Sequence, residues 1–227
     1  MASDIDKIKE QFNNISERYD NQRKCFIPCF NDFYKRSVSL LKYYENNFMN
    51  IIDLGAGTGI LTKVIYEMYP NANYTLIDIS KDMLKIAKER FNGLNNFNFL
   101  EYNYNEDIPV NNCDLICSAL SIHHLDDKEK LYKNIYSKLN KNGCFINLDQ
   151  FVAKSERINN LYNTWWYDYI NNSGITPEEK EAWLERKKLD KENTIDETIN
   201  LLEKSGFDYI ECIYNFMKFG VIIAIKK

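Results

Sequence analysis

An α/β fold built on a mostly parallel sheet is what this sequence predicts, and three observations carry the expectation. From residue 50 to residue 149, short apolar runs alternate with stretches of helical periodicity. Three glycines at alternate positions, Gly55, Gly57 and Gly59, separate the first apolar run from the first helical stretch, which carries Leu61, Val64, Ile65 and Met68. The second apolar run, Tyr74 to Ile77, ends on Asp78. That places a carboxylate at the tip of the next strand about 20 residues after the glycines, as in nucleotide-binding βαβ units.

The elements follow in chain order. Residues 4 to 17 carry Ile5, Ile8, Phe12 and Ile15 at helical spacing, and residues 28 to 47 carry Phe30, Phe33, Tyr34, Val38, Leu41 and Tyr44, so two amphipathic helices precede the sheet. Strands are predicted at 50–54, 73–78, 97–102, 113–118 and 144–149, with helices at 58–69, 81–91 and 127–139 between them. Asn140-Lys141-Asn142-Gly143 supplies a glycine stop before the fifth strand. After residue 152 the alternation breaks. Residues 155 to 171 and 177 to 189 read as two helices, the second opened by Thr176-Pro177-Glu178-Glu179 with a capping residue, a proline at the first position and acids in the first turn. A helix at 195–205 stops before Gly206, and strands at 207–214 and 217–226 close the sheet as a hairpin. The sum is a seven-stranded, mostly parallel sheet with its last strand antiparallel and a helical insertion after the fifth strand. The 227 residues fit one domain: N-terminal helices 1–48, a core 49–152, a helical cap 153–205 and a C-terminal hairpin 206–227.

Glycines in the turn permit positive φ and let backbone N–H groups approach a ligand closely. Asp78 can accept two hydrogen bonds from a ribose diol, so the unit reads as a site for an adenosine-bearing cofactor. Two residues bear on which one. A dinucleotide site wants glycine or alanine at the third position of GxGxxG, and Ile60 stands there. Asp53 sits badly beside a doubly negative pyrophosphate and suits the ammonium end of an amino acid. Both departures favour S-adenosyl-L-methionine (SAM) over NAD.

Asp53-Leu54-Gly55-Ala56-Gly57-Thr58-Gly59 and Asp78-Ile79-Ser80-Lys81-Asp82-Met83-Leu84-Lys85-Ile86-Ala87 resemble the first and second motifs of the class I SAM-dependent methyltransferases. Phe99-Leu100-Glu101-Tyr102-Asn103 stands where that family's third strand delivers a polar residue to the adenine amine. Asn103 replaces the usual Asp, and its amide can still accept. Asp114 to Leu125 fits the fourth strand and its catalytic-side loop. The resemblance implies a Rossmann-like fold, with SAM as cofactor and S-adenosyl-L-homocysteine as product. It implies cofactor contacts from Asp53, Gly55, Ala56 and Gly57 in the turn, from Asp78, Ile79 and Met83 after the second strand, and from Asn103, Tyr104 and Ser118. It also implies that the N-terminal helices fold over the cofactor as a lid, bringing Tyr19 and Arg36 toward the methionine end on the substrate side.

A similarity along almost the whole chain runs to the group containing carboxy-SAM synthase, an enzyme of tRNA wobble-uridine modification. Tyr19-Asp20, Phe30 through Val38, Gly206-Phe207 and Phe216-Met217-Lys218-Phe219-Gly220 resemble its terminal segments, and Arg186 stands near an arginine that meets the transferred carboxylate in that group. Where that group has a Cys-Ser-Leu turn, a Tyr and an Asn, this chain has Ala56-Gly57-Thr58, Leu41 and Ala119. These departures point to a relative that keeps methyl transfer. The acceptor expected is a small molecule, carboxylated if Arg186 lines the site. Carboxy-SAM synthesis and a non-catalytic SAM-binding protein are the alternatives.

His123 and His124, the two histidines of the chain, follow the fourth strand, and either could serve as a general base. Helical caps and core packing are the competing roles. In the inserted helix Tyr162, Trp165 and Tyr169 share a face, and Trp165 is a candidate wall for a flat or cationic acceptor. A net charge of −4 gives no basic cluster for phosphates, and Arg186-Lys187-Lys188, flanked by Glu181, Glu185 and Asp190, reads as a solvated mixed-charge face, so nucleic acid is not expected as a partner. No apolar run approaches the ~18 residues of a membrane span. The six cysteines read as free thiols of a cytoplasmic protein, and their spacing suggests no metal site. A homodimer is left open.

Overall fold

The computed structural model describes residues 4–44 and 47–227. Its seven strands are β1 (Asn50–Leu54), β2 (Asn73–Asp78), β3 (Phe97–Glu101), β4 (Cys113–Ala119), β5 (Leu139–Gln150), β6 (Tyr209–Phe216) and β7 (Phe219–Ile225). They form one sheet in the order β3-β2-β1-β4-β5-β7-β6. The pairs among β1 to β5 are parallel, and β7 lies antiparallel between β5 and β6, as the sequence predicts. Chain order reverses between β1 and β4, which puts a crevice at their carboxyl ends.

Period-2 alternation sorts the core onto the two faces. Ile51, Leu115, Cys117 and Ile146 face one buried layer, while Ile52, Leu54, Ile116 and Phe145 face the other. The first layer is covered by α3 (Ile60–Tyr66), α4 (Lys81–Arg90), the N-terminal segment and the cap helices α6 (Glu156–Asn171) and α7 (Pro177–Lys187). The second is covered by α5 (Lys128–Lys138) and α8 (Ile195–Lys204). Helix starts follow local chemistry. Ser80 Oγ accepts from Met83 N–H at 3.1 Å to open α4, and Thr176 with Glu179 and Thr194 with Glu197 form capping boxes on α7 and α8. All six cysteines are free.

The N-terminal region departs from expectation. α1 (Asp4–Ile15) is present, but an unpredicted helix, α2 (Tyr19–Phe26), follows it. Its YDNQRKCF sequence buries only Gln22 and Phe26, too few apolar positions to show a period. Ahead of Pro28, Ile27 turns extended (φ −115°, ψ 96°) and ends it. In place of a helix over 28–47 there is a π-turn, Asp32–Arg36, and a 3₁₀ segment, Val38–Tyr43. At their junction the Ser37 hydroxyl donates to the Phe33 carbonyl, competing with α-helical pairing. Residues 45 and 46 of that stretch lie outside the described residues.

Two turns also shift. The glycine stop at 140–143 is a bulge inside β5, where pairing jumps from Cys113↔Leu139 to Leu115↔Cys144 and Asn142 takes φ +58°. The hairpin turns at Met217-Lys218, Met217 at φ +53°, because a bulge between Cys212 and Tyr214 lengthens β6.

α6 seats on the core through Trp166, 2% exposed, whose indole N–H donates to the Phe26 carbonyl at 2.7 Å and whose ring meets Trp183 edge-on at 5.0 Å. Trp166→Phe keeps much of the packing and strands that carbonyl. Unfolding free energy should fall by about 1–3 kcal/mol in urea titration, whereas no change would mean that the indole contact does not anchor the cap.

Candidate active site

The turn after β1 is fixed from β2. Gly55 and Ala56 donate their N–H groups to the Ile77 carbonyl at 2.8 and 3.0 Å, and Gly57 N–H donates to Asp78 Oδ2 at 2.8 Å. Asp78 Oδ1 accepts from Ser80 N–H at 2.8 Å. Gly55 holds φ +67°, and a Cβ there would fall 1.9 Å from Ser121 Oγ, which in turn lies 2.6 Å from the Tyr104 hydroxyl. Only glycine lets the loops after β3 and β4 close onto this turn.

These loops and α1 enclose a crevice of about 590 Å³. Gly55, Gly57, Asp78, Ile79, Met83, Asn103, Tyr104, Tyr19 and His124 line it, as expected from the sequence, together with Ile5, Ile8, Phe12, Leu120, Ser121 and Leu125. A second cavity of about 480 Å³ adjoins it, sharing Phe12, Tyr19, Leu120 and His124, and adds Arg23, His123, Gln150, Trp183, Arg186, Lys187 and Asp190.

Five expected residues lie elsewhere. Asp53 is 2% exposed behind the turn, its Oδ2 accepting from Thr62 Oγ1 at 2.5 Å and its Oδ1 without a partner. Ala56 is buried beside the crevice rather than lining it. Ser118 is fully buried in β4, donating to the Leu54 carbonyl at 2.8 Å; the polar group at the crevice is Ser121, because the strand continues to Ala119. Arg36 is 84% exposed and pairs with Asp32 at 2.9 Å, since the π-turn aims it outward. Trp165 packs on Tyr169 and Phe216 on the outer side of α6, and its neighbour Trp166 takes the inward face. A helix aromatic on several faces hides its phase until packing selects one.

Sequence reasoning missed Arg23, on the unpredicted helix, and the carboxylates around the histidines. Asp149 was within reach, as it lies one residue before the end of β5, much as Asp78 ends β2. Asp190 and Lys187, read as part of a solvated face, are 8% and 15% exposed at the side chain, while Lys188 alone of the run is out in water at 68%. His123 Nδ1 lies 2.5 Å from Asp149 Oδ1, and its Nε2 lies 3.1 Å from Gln150 Nε2 and 3.5 Å from Asp190 Oδ1. Asp190 Oδ1 is 3.2 Å from His124 Nδ1, within ion-pair distance but without hydrogen-bond alignment.

Burial sets the charge states. It pushes Asp53 up to about 7, with the charge of Asp78 adding to the effect, and Asp78 up to about 6 despite its backbone donors. Burial and the neighbouring His123 lower His124 to about 4. At His123 burial acts downward, but Asp149 and Asp190 outweigh it and hold the imidazole above its usual value. Burial and the charge of Arg23 lower Arg186 to about 10, so it stays cationic at neutral pH. Its guanidinium has no ion pair among the described residues.

Residues 45–188 match the family described as a methyltransferase domain. The chain belongs to that family. It is 25% identical to the carboxy-S-adenosyl-L-methionine synthase of Nautilia profundicola over 98% of this chain and 96% of that one. It is 27% identical to malonyl-[acyl-carrier protein] O-methyltransferase 1 of Ilyobacter polytropus over 62% of this chain and 50% of the relative. A SAM-dependent methyltransferase of Aquifex aeolicus shares the fold, with TM-score 0.61 and 18% identity over 91% of this chain and 97% of that one. This methyltransferase is thus a class I, SAM-dependent enzyme. The protein offers features that fit the cofactor: the Asp78 carboxylate at the crevice, and the open side of Gly57, where an added Cβ would meet only the Tyr19 ring at 3.9 Å. No helix among the described residues is long and apolar enough to cross a membrane.

Asp53 and Asp78 make stability depend on pH in a definite sense. Their folded pKa values lie above the ordinary 3.8, so protonation favours the folded state. That contribution is complete below about pH 4 and is lost as pH rises through about 6 and then about 7. Between about pH 6.5 and pH 8, above the range in which the lowered pKa of His124 acts in the opposite sense, urea midpoints of the ligand-free methyltransferase should therefore decline, and Asp53→Asn should flatten the decline. A midpoint that rises over this range would contradict the burial argument.

Proposed function

We propose that this methyltransferase binds SAM in the first crevice and methylates a small carboxylated acceptor in the second. The carrying observation is the junction of the two cavities at Tyr19, Leu120 and His124, with the half-buried, unpaired guanidinium of Arg186 on the acceptor side. Asp78 accepts hydrogen bonds from the ribose hydroxyls, while Asp53, buried behind the turn, supports it from beneath through Thr62. SAM supplies a methyl already activated on a sulfonium, so the protein's task is to align the acceptor and exclude water. Ile5, Ile8 and Phe12 of α1 close the crevice from above. Arg186 and Arg23 hold the acceptor's carboxylate by charge-assisted hydrogen bonds, and His124, kept neutral by burial, is placed to take the acceptor's proton. The malonyl group named for one relative ends in a carboxylate, which agrees with this reading.

Carboxy-SAM synthesis is the second reading, supported by similarity along 98% of the chain. Incubation with SAM and prephenate separates the two by the mass of the recovered cofactor, which should carry no added carboxyl.

Calorimetric titration should show SAM and S-adenosylhomocysteine binding to the wild type and at least about a hundredfold weaker binding to Asp78→Ala, which loses charge-assisted hydrogen bonds and the tether on Gly57. Wild-type affinity in that variant would remove the ribose site from Asp78. With methyl-labelled SAM and a panel of carboxylic acids paired with their amides, label should pass to acids. Arg186→Gln should raise the acceptor KM about tenfold to a hundredfold, with SAM affinity unchanged. An acceptor used equally well as its amide would refute the carboxylate assignment.

A further inference from the structure

The loop after β4 and the segment after α7 bring two imidazoles and a carboxylate together. His123 and His124 stand in the 3₁₀ turn Ile122–His124, and Asp190 lies just past the end of α7 at Lys187. One ligand atom from each lies within 4.8 Å of the other two. Asp190 Oδ1 is 3.5 Å from His123 Nε2 and 3.2 Å from His124 Nδ1. Ligands about 2.0–2.1 Å from a tetrahedral cation stand roughly 3.3 Å apart, so both separations match the edges of a coordination polyhedron.

The surroundings point the same way. Asp149 takes His123 Nδ1 at 2.5 Å with one oxygen and accepts from the His123 backbone N–H at 3.1 Å with the other. A carboxylate on the far nitrogen fixes the ring and leaves Nε2 to ligate, as the outer partner of a metal-bound histidine does. His124 is 10% exposed at the side chain, and its Nδ1 has no hydrogen bond. Gln150 Oε1, also unpartnered, belongs to an amide whose Nε2 lies 3.1 Å from His123 Nε2. Turned about its last torsion, that amide presents a carbonyl oxygen to the same point. All four side chains line the acceptor cavity, so a cation held there keeps positions open toward the acceptor.

Opposing charges also surround the site. Lys187 Nζ lies 3.8 Å from Asp190 Oδ2, and Arg23 and Arg186 line the same cavity. Lys187 also meets Glu192 at 3.5 Å, and Glu192 pairs with Lys218 at 2.8 Å. These cations weaken a dication site without filling it. The competing explanation is a rack of side chains in which Asp190 merely steadies two imidazoles.

We propose that His123, His124 and Asp190 form a binding site for one divalent transition-metal cation in the acceptor cavity. Mixed nitrogen and oxygen donors suit Zn²⁺, Co²⁺ or Mn²⁺. The site's existence is independent of the acceptor assignment, whereas its role rests on the reading above: a cation there would polarise an acceptor oxygen and lower its pKa, so that its proton passes to solvent rather than to His124.

The test uses the full chain stripped with a chelator and titrated with Co²⁺ by visible absorption and with Zn²⁺ against a chromophoric chelator, SAM affinity being measured in parallel. One equivalent should bind with a dissociation constant below about 0.1 mM and without a thiolate charge-transfer band. Asp190→Asn and His124→Ala should abolish saturable binding, and Asp149→Asn should weaken it about tenfold to a hundredfold. Arg186→Gln should tighten it by removing a repelling charge, a response that a rack of side chains does not give. Variants that retain SAM binding count as folded. Absence of saturable binding up to about 1 mM, thiolate bands, or binding indifferent to Asp190→Asn would each overturn the site. Wild-type protein that binds SAM but no cation sinks this inference alone, while cation binding without SAM binding sinks the proposed function and leaves the site standing.

Discussion

The hydrogen bond from Gly57 N–H to Asp78 Oδ2 ties the end of β1 to the end of β2, and the ligand-facing surface is built outward from it. A turn in which glycines take φ of +67°, +54° and +80° has no regular pairing of its own, so its shape must be imposed from a neighbour. The Ile77 carbonyl and the Asp78 carboxylate impose it. With the turn held there, Gly55 presents a face without a Cβ to Ser121, Ser121 meets Tyr104, and the loops after β3 and β4 acquire their positions. Leu120, held at φ +52° where a branched side chain is strained, is one of four side chains standing between the two cavities.

Charge divides the molecule differently from the fold. Buried carboxylates sit on or beside the carboxyl ends of parallel strands, at Asp53, Asp78 and Asp149, while the cations of the acceptor cavity, Arg23, Arg186 and Lys187, arrive on helices outside the βα alternation. The sheet therefore contributes the negative charge around the crevice, and the added helices contribute the positive charge of the second cavity. Polar contacts hold the N-terminal helices to the sheet: Lys9 to Glu101 at 2.7 Å, Ser80 Oγ donating to Asn13 Oδ1 at 2.6 Å, and Asp20 accepting from Thr58 Oγ1 at 2.5 Å and from the Arg90 guanidinium. Partly exposed pairs contribute little each. Ile8 and Phe26, both buried, carry more of the attachment.

Legibility in the sequence follows the same division. The parallel core could be read because β1, β2, β4 and β5 bury both faces and each helix one, so apolar period locates them, and the Gly55 to Asp78 spacing locates the crevice. Periodicity had nothing to register in α2, where Gln22 and Phe26 are the buried residues. The phase of Trp165 and Trp166 depends on Phe26 and Trp183, which are distant in sequence. The mixed-charge run around Arg186 looked solvated because a buried guanidinium and an exposed one are the same letter. What decides between them is a cavity assembled from α1, α2, the β4 loop, the end of β5 and α7.

In that assembly the crevice and the proposed acceptor cavity rest on different supports. The cofactor side depends on backbone geometry that tolerates little change, since Gly55 has no room for a methyl and Asp78 already spends an oxygen on the turn. The acceptor side depends on side chains projecting from helices held by apolar packing, with Phe26 stacked on Trp183 at 5.6 Å and Trp166 seated beneath them. A substitution at Arg23 or Arg186 changes the charge offered to the acceptor without touching a strand. The lining of the second cavity therefore comes mainly from α2, α7 and the histidine turn, and the sheet reaches it through Gln150 at the end of β5 and through Leu120 and His124 at the shared wall.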